Sequence, residues 1–312
     1  MGPLLCLISA ACFGAMAIFG KYAYVAGVTA PTLLLIRFTL AALILAVLVA
    51  AGPWARPRGR HLVVALGLGA VGYATQATLF FEALTVMDAS LLALILYTYP
   101  LMVTAIAALL GRDLLTPARV AALLAASTGT LLVLLGGGVG MLNPLGVTLA
   151  LGSALTYTLY ILVSDRVVQQ VPPVPLTATV MAGASAALVV RSAATGGPDV
   201  NFAPSGWLWL AAIAVMSTVL AALTFFAGLR RTGPSTAAIL STAEPVVTAA
   251  LAASLLGESL SPLQWAGGAI VLISVVTVQS KSPAPPTRRT AQSSPRLQPT
   301  WRPPDDAVNL LR

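Results

Sequence analysis

Only 8% of this 312-residue chain is charged, against about 25% in an ordinary soluble domain. With 58% apolar residues and a mean hydropathy of +0.92, it has too little polar surface to coat a water-soluble fold, so the composition is that of a membrane protein. Cysteine is almost missing: Cys6 and Cys12 lie in the first apolar run at a spacing that does not bridge on one helix, which excludes a disulfide framework. The single histidine, His61, sits beside Arg58 and Arg60, so neither a zinc site nor a histidine relay has ligands; no metal and no cofactor is expected. No GxxxxGK[ST] stretch is present for ATP-driven work, and no nucleophile–base pair for hydrolysis. Ten-residue stretches of alternating polarity are missing too, which disfavours a β-barrel.

What remains is helix. A crossing needs about 20 apolar residues, and ten such runs are read at 3–24, 31–51, 62–84, 89–110, 117–136, 144–164, 174–194, 205–228, 234–256 and 262–279. Aromatics are few (6%), while glycine (26 residues), alanine and leucine abound, as in helices that approach closely in lipid. The first run starts almost at Met1 without a basic n-region and is expected to be a retained helix. From Ser280 the sequence turns to "SKSPAPPTRRTAQSSPRLQPTWRPPDDAVNLLR", which has little to bury and reads as a disordered, solvated tail.

Lysine and arginine set the orientation. With the N-terminus in the cytoplasm, the inside loops hold Arg56, Arg58, Arg60, Arg112, Arg119, Arg166, Arg230 and Arg231, and the basic tail joins them; Lys21 and Arg191 lie outside, and Arg37 within a span. Both termini are thus expected in the cytoplasm of a multi-pass plasma (inner) membrane protein. The net charge of +8 is a topology signal, and no nucleic-acid partner is expected.

The chain repeats itself. Slid by 145 residues, "FFEALTVMDASLLALILYTYPLMVTAIAALLGRDLLTP" from Phe80 lies on "FFAGLRRTGPSTAAILSTAEPVVTAALAASLLGESLSP" from Phe225, with Pro100 on Pro245 and Pro117 on Pro262; near the start, a shift of about 144 puts "SAACFGAMAIFG" on "SALTYTLYILVS". Five spans per half is an odd number, so the second half enters the membrane from the other side and the repeats are inverted. Aligned charges agree: Thr85 and Val86 become Arg230 and Arg231, while Arg112 and Arg119 become Gly257 and Gln264.

The stretch "EPVVTAALAASLLGESLSPLQWAGGAIVLISVV", its weaker copy "YPLMVTAIAALLGRDLLTPARVAALLAASTGTLLVL" and "LIRFTLAALIL" around Arg37 resemble the EamA-type repeat of the ten-helix members of the drug/metabolite transporter superfamily. The resemblance covers nearly all of 3–279. It departs from the usual pattern in Tyr99, where the second half has Glu244, and in Glu82. It implies an all-α integral membrane protein of ten transmembrane helices in two inverted five-helix repeats. These take residues 1–138 and 143–279, followed by a disordered cytoplasmic tail over 280–312. It further implies export of a small metabolite, amino acid or drug-like compound by alternating access.

Some residues are out of place in lipid. Glu244 lies about ten residues from either end of its run, a depth at which an ionisable side chain faces a cavity or a partner. Pro100 and Pro245 fall mid-run in corresponding segments, leaving the carbonyls of Leu96 and Ser241 without helical donors; such paired interruptions point to a transporter's central site. Hydroxyls surround them: Tyr97, Thr98 and Tyr99 in one half, Ser241 and Thr242 in the other. Tyr157 and Tyr160, one turn apart, and Phe225 with Phe226 either line an aromatic cavity or pack in the core, the latter being favoured. Arg37, two turns into its run, is expected to snorkel, and Glu82 and Asp88 to be solvated boundary charges. The expected transport cavity is therefore Glu244, Pro245, Ser241, Thr242, Tyr97, Tyr99, Pro100, Arg37, Tyr157, Tyr160 and Phe225. Its partners are a small-molecule substrate, the bilayer and a proton as coupling ion. An uncoupled facilitator or channel-like permease of the same fold is the alternative, although no filter-like ring is apparent; an intramembrane enzyme is the third reading.

Overall fold

In the computed structural model, residues 1–86, 92, 95–112, 116–136, 143–256 and 261–280 are described. The loop stretch 137–142, Asp88, Asp113, Glu258 and the tail from Lys281 lie outside them. The regular structure is helical, with no strand among the described residues. In chain order the helices are α1 (Gly2–Val25), α2 (Ala30–Ala51), α3 (Gly59–Gly67), α4 (Ala74–Val86), α5 (Tyr99–Leu109), α6 (Pro117–Gly136) and α7 (Pro144–Val168). There follow α8 (Pro173–Ala194), α9 (Ser205–Ala214), α10 (Ala221–Thr232), α11 (Pro234–Ser241), α12 (Ala243–Leu256) and α13 (Pro262–Ser280). A π-helical segment, π1 (Leu68–Tyr73), joins α3 to α4, and a second, π2 (Val215–Leu220), joins α9 to α10.

Proline explains where many helices begin. It stands in the first turn of α1, α2, α5, α7, α8 and α11, and opens α6 and α13. There its missing N–H leaves no bond unmade and its fixed φ already suits a helix. Asn143 caps α7 by accepting from the amides of Leu145 and Gly146. Gly233, at φ 78°, makes the one-residue turn between α10 and α11, a conformation most other side chains avoid.

Seven helical runs among the described residues are long and apolar enough to cross a membrane, and Tyr99–Leu109, Val120–Gly136 and Pro262–Ser274 are shorter apolar helices. The runs anticipated at 144–164 and 205–228 continue to Val168 and Thr232, because Asp165, Arg166, Arg230 and Arg231 prolong the helices past the apolar stretch. Large apolar side chains such as Leu43, Val47, Val71 and Ile273 point outward, an arrangement suited to lipid and not to water.

The extensive helix contacts run from the first half of the chain to the second. α1 packs on α10 and α12, α2 on α8, α4 on α7, and α6 on α13. Residues 1–280 therefore form one compact unit in which the two halves interlock. Small residues permit the closest approaches: a Cβ added to Gly129 of α6 would lie 2.7 Å from the carbonyl oxygen of Gly267 in α13, and one added to Gly267 would reach the Gly129 carbonyl in turn.

Candidate functional site

The two prolines singled out by sequence do not bend continuous helices; each follows a break. α11 ends at Ser241 and α12 begins at Ala243, placing Glu244 and Pro245 in the first turn of a new helix, and Pro100 occupies the same kind of place in α5. Both breaks are closed alike. The Thr98 hydroxyl donates to the Ile95 carbonyl at 2.7 Å and the Thr242 hydroxyl to the Ile239 carbonyl at 2.6 Å, each joined by a backbone bond from the same threonine. "ILYTYP" therefore matches "ILSTAEP" with a shift of 144 up to the threonine and 145 at the proline. The second half holds one more residue in this turn than the ungapped alignment suggests.

Around the breaks the tyrosines form a continuous ladder. Tyr97 and Tyr99 have ring centroids 6.0 Å apart, Tyr99 and Tyr157 4.7 Å, Tyr157 and Tyr160 6.2 Å, and Tyr160 and Tyr73 5.4 Å. Phe226 joins Tyr160, and Phe225 joins Phe226. The ladder draws on both halves of the chain. Tyr99 and Tyr160 are buried, whereas Tyr97, Tyr157 and Glu244 are half-buried. Glu244 interacts through its side chain with Tyr97, and Tyr99 with Ser241. Ser241 also donates to the Ala237 carbonyl at 3.0 Å.

Arg37 corrects an expectation. It does not snorkel; it is 2% exposed. Its Nε donates to Thr218 Oγ1 at 2.8 Å and its Nη2 to the Tyr73 hydroxyl at 3.0 Å, with the guanidinium carbon 4.9 Å from the centre of the Phe38 ring. The reason is that burial brings hydrogen-bond acceptors and an aromatic face within reach, which a long run to the interface would forfeit. Thr218 passes the bond on, donating to the Ile213 carbonyl at 2.9 Å. Tyr73 closes π1 and Thr218 lies in π2, so one guanidinium joins a π-segment from each half.

Glu82 is likewise paired. Arg191 Nη2 donates to its Oε1 at 2.6 Å and Arg191 Nη1 to Thr78 at 2.9 Å. This pair, between the end of α4 and the end of α8, lines a cavity of about 120 Å³ whose other walls include Ala30, Pro31, Leu34, Phe81 and Leu188. The pairing was missed because 109 residues separate the two; the unusual Glu82 and an isolated arginine at a helix end were the available signals.

Of the anticipated residues, Tyr97, Tyr99, Tyr157, Tyr160 and Phe225 lie on the ladder, Glu244 meets its Tyr97 end, and Arg37 meets the ladder through Tyr73. Pro100, Pro245, Ser241 and Thr242 shape the breaks beside it. The π-segments, with Tyr73 and Thr218, were not anticipated.

The sequence pattern of the EamA-like transporter family matches residues 1–135 and, a second time, 144–279. Over 277 residues the chain is 30% identical to the Bacillus subtilis (strain 168) protein called "Uncharacterized transporter YcbK", covering 85% of this chain and 88% of that one. It is 25% identical to "Uncharacterized transporter YyaM" of the same organism, over 75% of this chain and 79% of the relative. A solved crystal structure superposes with a TM-score of 0.76 over 90% of this chain and 99% of its own, at 21% identity, which relates the fold.

Proposed function

We propose, from the premise that the chain belongs to the EamA-like transporter family, that it exports a small metabolite, amino acid or drug-like compound across the plasma membrane by alternating access. On this reading it has ten crossings in two inverted repeats, residues 1–138 and 143–279, with residues 280–312 as a cytoplasmic tail. The cargo site lies where the two helix breaks, the tyrosine ladder and Glu244 converge.

The observation that carries the reading is the pair of broken helices with Glu244 at the start of α12. A helix beginning at membrane depth leaves backbone N–H groups unpaired and carries partial positive charge. Such half-helix ends suit the recognition of polar groups in a site between repeats. Glu244, half-buried beside Tyr97, can take up and release a proton as its surroundings change during the cycle, which would link proton movement to cargo movement.

The test is efflux and uptake of a metabolite panel in membrane vesicles containing the protein, with and without an imposed pH gradient. Protein-dependent movement that rises with the gradient is the expected result. Movement indifferent to it would favour the uncoupled facilitator, and no movement of any compound would overturn the reading.

A further inference from the structure

Arg37 is a buried cation whose hydrogen bonds go to neutral oxygens, those of Thr218 and Tyr73. A guanidinium bonded to an ionised oxyanion gains charge–charge attraction that its bonds to neutral hydroxyls lack, and the planar fork matches a carboxylate with two parallel N–H groups. The two present partners sit in elements that are themselves departures from regular helix. π-segments are uncommon and concentrate at functional sites, and here one occurs in each half, at residues 147 apart by their first members, Leu68 and Val215. Beside Thr218, the Ser217 hydroxyl of π2 is fully buried and has no hydrogen-bond partner among the described residues. The guanidinium also lies against aromatic rings: Phe38 directly, and Tyr73, which touches Phe38 edge-on at 4.9 Å and continues to Tyr160.

We propose that Arg37 is the anion-recognising residue of the central site, and that an oxyanion on the cargo takes the guanidinium from Tyr73 and Thr218, releasing a π-segment in each half at once. The inference rests on the transport reading above and narrows its cargo to compounds that carry a carboxylate or similar oxyanion next to an aromatic or apolar group. Because Arg37 is 2% exposed, an anion must displace its partners and cannot simply add to them. Binding energy is thereby converted into the loss of a contact that ties the halves together, which is how a ligand shifts a two-state equilibrium. A neutral analogue of equal shape lacks the means to make that exchange.

The experiment uses the purified full chain in detergent, with phenylacetate and its uncharged counterpart phenylacetamide as probes and thermal unfolding at graded concentrations as readout. Phenylacetate is expected to raise the unfolding temperature in the wild type and phenylacetamide to leave it unchanged. Arg37→Gln should abolish the phenylacetate shift, and Arg37→Lys should weaken it. Tyr73→Phe and Thr218→Val each remove a competing acceptor while keeping the guanidinium, so phenylacetate affinity should rise about tenfold, the worth of one net hydrogen bond to a charged group near 1.5 kcal/mol. A structural arginine would show the opposite: both variants would lose stability without gaining affinity. Equal shifts from acid and amide, no shift from either, or unchanged affinity in Tyr73→Phe and Thr218→Val overturns the proposal. Binding in the expected pattern by a protein that moves nothing across vesicles would instead break the transport reading and leave only the assignment of Arg37 as an anion-binding residue standing.

Discussion

Glu244 is the residue whose position needs the most compensation, since a carboxylate deep in an apolar run costs several kcal/mol when left unaided, on the order of 3 kcal/mol on insertion scales. Its placement in the first turn of α12 supplies part of the answer. A helix start offers a favourable dipole worth on the order of 1 kcal/mol to a nearby anion, and Tyr97 adds a side-chain partner. The adjacent Pro245, which looks costly in the sequence, costs little at this place because it follows the break and has no helical donor to lose. Glu244→Gln preserves size and hydrogen bonding but cannot exchange a proton. It should insert and fold as the wild type does, judged by expression and gel filtration, and lose the dependence of vesicle transport on a pH gradient. An unchanged rate with an unchanged pH response would make Glu244 a structural hydrogen-bonding group.

At the level of helices, close packing sets the sharpest limits. α6 and α13 meet at Gly129 and Gly267, where an added Cβ on Gly129 falls 2.7 Å from a backbone oxygen that cannot swing aside. Gly129→Val should therefore lower the unfolding temperature in detergent, at a cost of about 1–3 kcal/mol for an overpacked contact. Gly20→Ala in α1, where an added Cβ meets nothing within 4 Å, should leave stability unchanged or slightly raised. Equal losses in both would mean that glycine content matters for some reason other than this approach. The helices themselves were legible because apolar runs bounded by proline carry their own start signals, as at Pro144, Pro173 and Pro262. The π-segments were not: "LGAVGY" and "VMSTVL" share no residue at any aligned place, so the common geometry comes from tertiary packing. Arg37 was misread for the same reason, since its partners lie 36 and 181 residues away and no local rule announces them.

For the whole molecule, the decisive matter is whether the halves face opposite ways. The connection between α2 and α3 carries Arg56 and Arg58, with Arg60 in the first turn of α3, whereas its counterpart in the second half, between α8 and α9, holds Asp199 and no lysine or arginine. Arginine is retained on the cytoplasmic side during insertion, so corresponding connections with opposite charge character belong on opposite sides of the bilayer. Arg58 and Asn201 are both exposed, and the native Cys6 and Cys12 are buried, which gives a quiet background for labelling. In intact cells a membrane-impermeant maleimide should modify Asn201→Cys at once and Arg58→Cys only after permeabilisation. The halves interlock through α1 on α10 and α4 on α7, and on the proposed reading a tilt of one repeat against the other would close one face of the central site as it opens the opposite face. If both cysteines react from the same side, the repeats are parallel, that exchange of faces has no symmetry to rest on, and alternating access by inverted halves must be abandoned for this chain.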